Sequence, residues 1–95
     1  MKVILSPETK LDLDEIFLWV FEDSKQRAIE FIDRLKSDCV LVGQNPNIGK
    51  NRDELKNGLK SFPTENYLIF YRVKIECVEI ARILHGSRDI TSELF

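Results

Sequence analysis

Tyr67-Leu68-Ile69-Phe70-Tyr71-Arg72-Val73 is the stretch that decides how this chain folds. Aromatic and β-branched residues dominate it, and such side chains suit a pleated, half-buried strand. At a period of two, Tyr67, Ile69, Tyr71 and Val73 share one face and Leu68, Phe70 and Arg72 the other. A polar turn around Lys74 leads into Glu76–His85, where Val78, Ile80 and Leu84 alternate with Glu79, Ala81 and Ile83. Both faces of this second run are largely apolar, which predicts a central strand covered on two sides. On this alternation Arg82 shares a face with Ile80 and Leu84.

Working outward, Leu59–Phe62 opens the β half, and the segment before it, Gln44–Gly58, is rich in Asn, Pro, Gly and charge. Asn45-Pro46 and Asn57-Gly58 mark turns there. Two helices precede that loop. Ser6-Pro7-Glu8 supplies an N-cap, a proline at the first helical position and an acid at the positive helix end. Leu13, Ile16, Phe17 and Val20 then form the inward stripe. Asp23 caps the second helix with Gln26 in reciprocal position, Ala28, Ile32, Leu35, Cys39 and Val42 line one face, and Gly43 stops it. So short a link makes the helices an antiparallel hairpin. The expected fold is a single α+β domain over 1–95, in the order β-α-α-β-β-β. It has a strand at 2–5, helices within 6–24 and 24–43, and strands at 59–63, 66–73 and 76–85. The helix hairpin packs on a mostly antiparallel four-stranded sheet, and Asp89–Phe95 forms a short helix or a tail.

Ninety-five residues suffice for one core and not for two. Hydrophobic residues at 43% and charged ones at 32% exclude extensive disorder. Fourteen Lys and Arg against 16 Asp and Glu leave a formal charge of -2, which argues against a general nucleic-acid binder that relies on phosphate contacts. Two isolated cysteines, Cys39 and Cys77, form no disulfide framework and read as reduced thiols. The longest apolar run, Ile16–Phe21, is far short of a membrane span, and no signal peptide opens the chain, so a cytoplasmic location is expected.

Few residues carry candidate chemistry. One histidine and scattered cysteines make no metal site, and no cofactor is implied. A thiol hydrolase built on Cys39 or Cys77 with His85 and Asp89 lacks any local signature. His85, with Arg82 and Arg88 nearby, reads in two ways. It is a general base beside phosphate-binding arginines, or a strand-end residue donating to a carbonyl or to Asp89 and fixing the turn at Gly86. Arg88-Asp89 reads as a simple ion pair, and Arg82 is either paired with a carboxylate or placed at a working surface of the sheet. Leu18, Trp19 and Phe21 lie outside the inward stripe. Either Trp19 and Phe21 pack under the loop from Gln44, or this face docks a partner protein or a second copy of the chain.

Four motifs in register carry a family resemblance. Leu5-Ser6-Pro7-Glu8 with Asp12-Leu13 and Ile16, Pro46-x-x-Gly49-x-x-Arg52-x-Glu54-Leu55, Leu59–Pro63 followed by Tyr67–Val73, and Arg82–Asp89 together resemble the RelE/ParE toxins over nearly the whole chain. The resemblance implies a type II toxin neutralised by a cognate antitoxin, with which it forms a hetero-oligomer, and the last motif looks like the ParE side of the family. That branch inhibits DNA gyrase by binding and needs no chemistry of its own. The RelE branch cleaves mRNA on the ribosome, using cations against the growing phosphate charge and a group that moves a proton.

Here the chain departs from the nuclease pattern. Leu68 and Ile69 stand where the nucleases place an early strand arginine, and Phe95 stands in place of a C-terminal tyrosine. Lys50, Arg52, Lys56 and Lys60 are offset by Asp53 and Glu54. The expectation is a gyrase inhibitor with a ParD-like antitoxin and no catalytic residues. Its functional surface comprises Arg72, Arg82, His85, Arg88, Asp89 and Phe95, and Leu18, Trp19 and Phe21 bind the antitoxin. The alternatives are a RelE-like endonuclease using Arg82, His85 and Arg88, or a member that binds antitoxin and has lost toxicity.

Overall fold

The computed structural model describes all residues, Met1–Phe95. β1 (Lys2–Leu5) leads into α1 (Pro7–Phe21), which turns back as α2 (Lys25–Gln44). The chain then forms β2 (Lys50–Asn51), β3 (Leu59–Thr64), β4 (Tyr67–Val73) and β5 (Cys77–His85), and ends in a single 3-10 turn at Ser92–Leu94. The sheet has the order β1-β5-β4-β3-β2, with β1 parallel to β5 and every other pairing antiparallel. The α+β class and the element order are as expected, with a fifth strand added.

That fifth strand is a correction to the four-stranded expectation. Lys50 pairs with Ser61 and Asn51 with Lys60, inside a segment whose composition reads as loop. Two residues are too few to show a period, and their side chains are exposed. The pairing follows from the fold of the loop: the Tyr71 hydroxyl donates to Pro46 O and accepts the Gly49 N–H, each at 2.8 Å, which pins the chain alongside β3.

Two helix boundaries also differ. Ser24, not Asp23, caps α2: its backbone is extended and its hydroxyl accepts the Arg27 N–H, while the Asp23 N–H still bonds Val20 O at the end of α1. Gly43 lies inside α2 instead of stopping it. It is buried against β1, where an added Cβ would overlap the Val3 side chain and lie 3.2 Å from Met1 O. The small residue therefore serves close helix–strand packing.

The core has two layers. Leu13, Ile16, Leu35, Cys39 and Val42 from the helices meet Ile69, Tyr71, Val78, Ile80 and Ile83 from the sheet. On the other face Leu59, Phe70, Ala81 and Leu84 are covered by Leu55, Ile90, Leu94 and Phe95. The simple alternation expected for β5 breaks between these layers. Tyr71 pairs with Ile80 but Phe70 pairs with Arg82, so Ala81 has no partner and forms a bulge. Ile80 and Ile83 consequently face the helices while Leu84 faces the C-terminal segment, and Arg82 does not share a face with Ile80.

Candidate functional site

β1 ends at Leu5, whereas β5 continues to His85, so the edge of β5 from Ile80 onward needs another partner. The start of α1 provides it. The Ser6 N–H donates to Ile80 O at 3.0 Å, the Ser6 hydroxyl to Ala81 O at 2.8 Å and the Thr9 hydroxyl to Ile80 O at 2.9 Å. One turn on, Asp12 accepts the Ile83 N–H at 3.0 Å and both Nε and Nη2 of Arg82 at 2.8 Å. The hydrogen bonds that Arg82 donates to Asp12 hold it protonated even more firmly than usual; burial opposes them, and the charges of Asp12, Glu8 and Glu15 add to them. Arg82 also donates to Leu94 O at 3.3 Å. Of the two readings of Arg82, the carboxylate pair is the one observed.

His85 ends β5, exposed, with its ring edge-on to Tyr67 at 5.1 Å between centroids. Its Nδ1 accepts the Ser87 N–H at 3.1 Å and lies 2.7 Å from the Ser87 hydroxyl. The neutral ring therefore carries its hydrogen on Nε2. Neither a carbonyl nor Asp89 is its partner, because the turn at Gly86 brings Ser87 back over the ring first. Arg88 and Asp89 are exposed and form no ion pair with each other or with any other side chain.

The structure divides the expected functional surface in two. His85 and Arg88 line a slot of about 240 Å³ between α1 and the ends of β4 and β5, with Trp19, Tyr67, Ile83 and Leu84 among its walls. Arg72, Arg82 and Phe95 belong to a depression on the side covered by the C-terminal segment. There Arg72 pairs with Glu79 at 3.1 Å, and the Phe95 ring packs on Phe70 at 4.8 Å while its carbonyl accepts Lys56 Nζ at 2.9 Å. Phe95 is thus a structural anchor. No group of three His, Cys, Asp or Glu side chains is placed to hold a metal ion, and no helix is long and apolar enough to cross a membrane.

Leu18, Trp19 and Phe21 are exposed to 62%, 73% and 44%, so the loop from Gln44 does not cover them. Asp12 is the residue that sequence reasoning left out of the site. Its signal was present: Thr9 and Asp12 fall on the inward stripe of α1 with Leu13 and Ile16, where a carboxylate demands a cation.

Comparison with known proteins bears on this arrangement. Residues 3–90 match the sequence model of the family described as "ParE toxin of type II toxin-antitoxin system, parDE". The chain belongs to the ParE toxin family. Toxin ParE3 of Caulobacter vibrioides is 30% identical over 94 residues, covering 98% of this chain and 94% of that toxin. Toxin RelE3 of the same organism is 29% identical over 85 residues, covering 88% and 92%. A solved structure titled "Chromosomal ParDE TA system from P. aeruginosa" superposes with a TM-score of 0.77 over 90% of this chain and 95% of that one, at 22% identity, and so shares the fold. Within this ParE-family chain the Asp12–Arg82 pair joins the first and last motifs of the sequence, tying helix α1 to the strand that carries His85.

Proposed function

We propose that this ParE-family toxin arrests growth in the cytoplasm by binding DNA gyrase, without catalysing a reaction, and is held inactive in a complex with a ParD-like antitoxin. One observation carries the choice of mechanism: of the three groups an RNA-cleaving site would use here, His85 and Arg82 are already committed, which leaves Arg88 as its one free cation. A general base offers a free lone pair to the proton it removes. In His85 that lone pair, on Nδ1, is engaged by Ser87. A phosphate clamp needs cations aimed at developing charge, but both prongs of Arg82 are spent on Asp12. Positions 68 and 69 carry no cation either, being Leu68 and Ile69, the latter fully buried.

A binding function requires only shape and exposed surface, and α1 offers Leu18, Trp19 and Phe21 for the antitoxin. The test is expression in bacteria without antitoxin, following the DNA-damage response and bulk translation together. Growth arrest with an early damage response supports the reading. Arrest with an immediate fall in translation and no damage response contradicts it, and unimpaired growth marks a chain that has lost toxicity.

A further inference from the structure

The outer face of α1, continued by its C-cap residue Glu22, carries a second pattern beside its inward stripe. Glu8, Glu15 and Glu22 recur every seven residues, and so do Leu11 and Leu18, four residues before Glu15 and Glu22. All five are exposed, with Leu11 at 64% and Leu18 at 62%, and Trp19 at 73% lies beside Glu15 and Glu22. At 100° per residue these six side chains fall within one third of the helix circumference. Alternating steps of three and four along one stripe are the spacing by which a helix packs lengthwise on another helix. The three carboxylates take part in none of the chain's six ion pairs.

On these grounds we infer that the antitoxin segment covering α1 is a cationic amphipathic helix, its Lys or Arg side chains set among Glu8, Glu15 and Glu22 and its apolar stripe laid over Leu11, Leu18 and Trp19. The inference rests on the antitoxin-bound toxin described above and adds the chemistry of the partner. Charge separates this occupant from the others. A second copy packing antiparallel on the same stripe would set Glu15 against Glu15 and Glu8 against Glu22, and like charges facing each other oppose association. Nucleic-acid phosphates meet the same repulsion. The slot between Trp19, Tyr67, Ile83 and Leu84 adjoins the stripe and has room, at about 240 Å³, for one apolar anchor side chain from the partner.

Trp19 is the only tryptophan, so its fluorescence reports directly on this face. The probes are two synthetic helical peptides with the same leucine stripe, one flanked by lysines and one by glutamates, titrated into the full chain. The lysine peptide is expected to shift Trp19 emission to the blue and to bind at least about tenfold tighter than the glutamate peptide, since like-charge juxtaposition is costly. The preference should collapse near about 1 M salt, where the screening length is about 3 Å. It should collapse equally in the triple variant E8Q/E15Q/E22Q, whose substitutions are on the surface and leave the core alone. Equal binding of the two peptides, binding of neither, or an unchanged preference in the triple variant overturns the inference. Toxicity is scored separately. A chain that selects the lysine peptide but arrests no growth keeps this surface and loses the toxin reading; a toxic chain that selects neither peptide does the reverse.

Discussion

Asp12 on α1 and Arg82 on β5 form a two-pronged ion pair, 70 residues apart in sequence, with both N–H···O contacts at 2.8 Å. The pair is well shielded, the side chains being only 7% and 17% exposed, and Asp12 also holds the Ile83 N–H. Removing one member of such a pair strands the other charge, which typically costs about 3–5 kcal/mol. Asp12→Ala should therefore lower the unfolding free energy by about 3 kcal/mol in urea titrations. The double variant Asp12→Ala/Arg82→Met should recover part of that loss, because no lone charge remains. A single-variant change below about 0.5 kcal/mol, the range usual for surface substitutions, would assign the pair no structural role.

Tyr71 ties the loop between α2 and β3 to the sheet through its two hydroxyl hydrogen bonds, to Pro46 O and from the Gly49 N–H. Tyr71→Phe keeps the ring and removes both, so a loss of about 1–3 kcal/mol is expected. Amide exchange at Gly49 should speed up more than exchange in β4. Gly49→Ala should be at least as damaging, since its Cβ would overlap the Tyr71 hydroxyl and stand 2.9 Å from Ser61 O. Unchanged exchange at Gly49 in Tyr71→Phe would count against the anchor.

Burial, with the Asp38 charge adding to it, pushes the Cys39 thiol up from 9.0 to about 12. The folded state therefore keeps the neutral thiol while the unfolded chain ionises. The thiol's contribution is fully present below pH 9 and is lost as the pH rises from 9 towards about 12. Stability should fall across that window with a slope of up to about 1.4 kcal/mol per pH unit from this group. Burial raises Tyr67 and Tyr71 as well, and they add to the fall from about pH 10. Cys39→Ala is expected to be less stable at neutral pH but to show a shallower alkaline slope; an identical slope would contradict the assignment. At pH 8 a thiol reagent should label the partly exposed Cys77 and spare the buried Cys39.

The elements with strong periodicity were legible in the sequence. The aromatic alternation of Tyr67–Val73 and the Ser6-Pro7-Glu8 start of α1 announce their structures because local preference and burial agree there. What escaped depends on tertiary contacts. The strand at Lys50–Asn51 exists because Tyr71 holds the loop, and Gly43 continues a helix because β1 presses against it. The bulge at Ala81 reverses the faces of β5 beyond it, and no pattern within β5 shows where a register skips. For the site, Arg82 could be narrowed to a carboxylate pair or a working surface, but its partner lies on another element. Asp12, a helical acid on the inward stripe of α1, is the readable half of that pair.

Binding without catalysis and RNA cleavage make opposite demands on His85, and His85→Gln separates them. Glutamine retains a donor and an acceptor but cannot serve as the base. The wild type and the variant are each assayed with purified gyrase on supercoiling, and with programmed ribosomes for mRNA cleavage. For a toxin that acts by binding, both proteins are expected to inhibit supercoiling to a similar degree, and neither to cut mRNA. Site-specific cleavage by the wild type that drops about 10²–10⁴-fold in the variant, with supercoiling untouched by either protein, would contradict this mechanism.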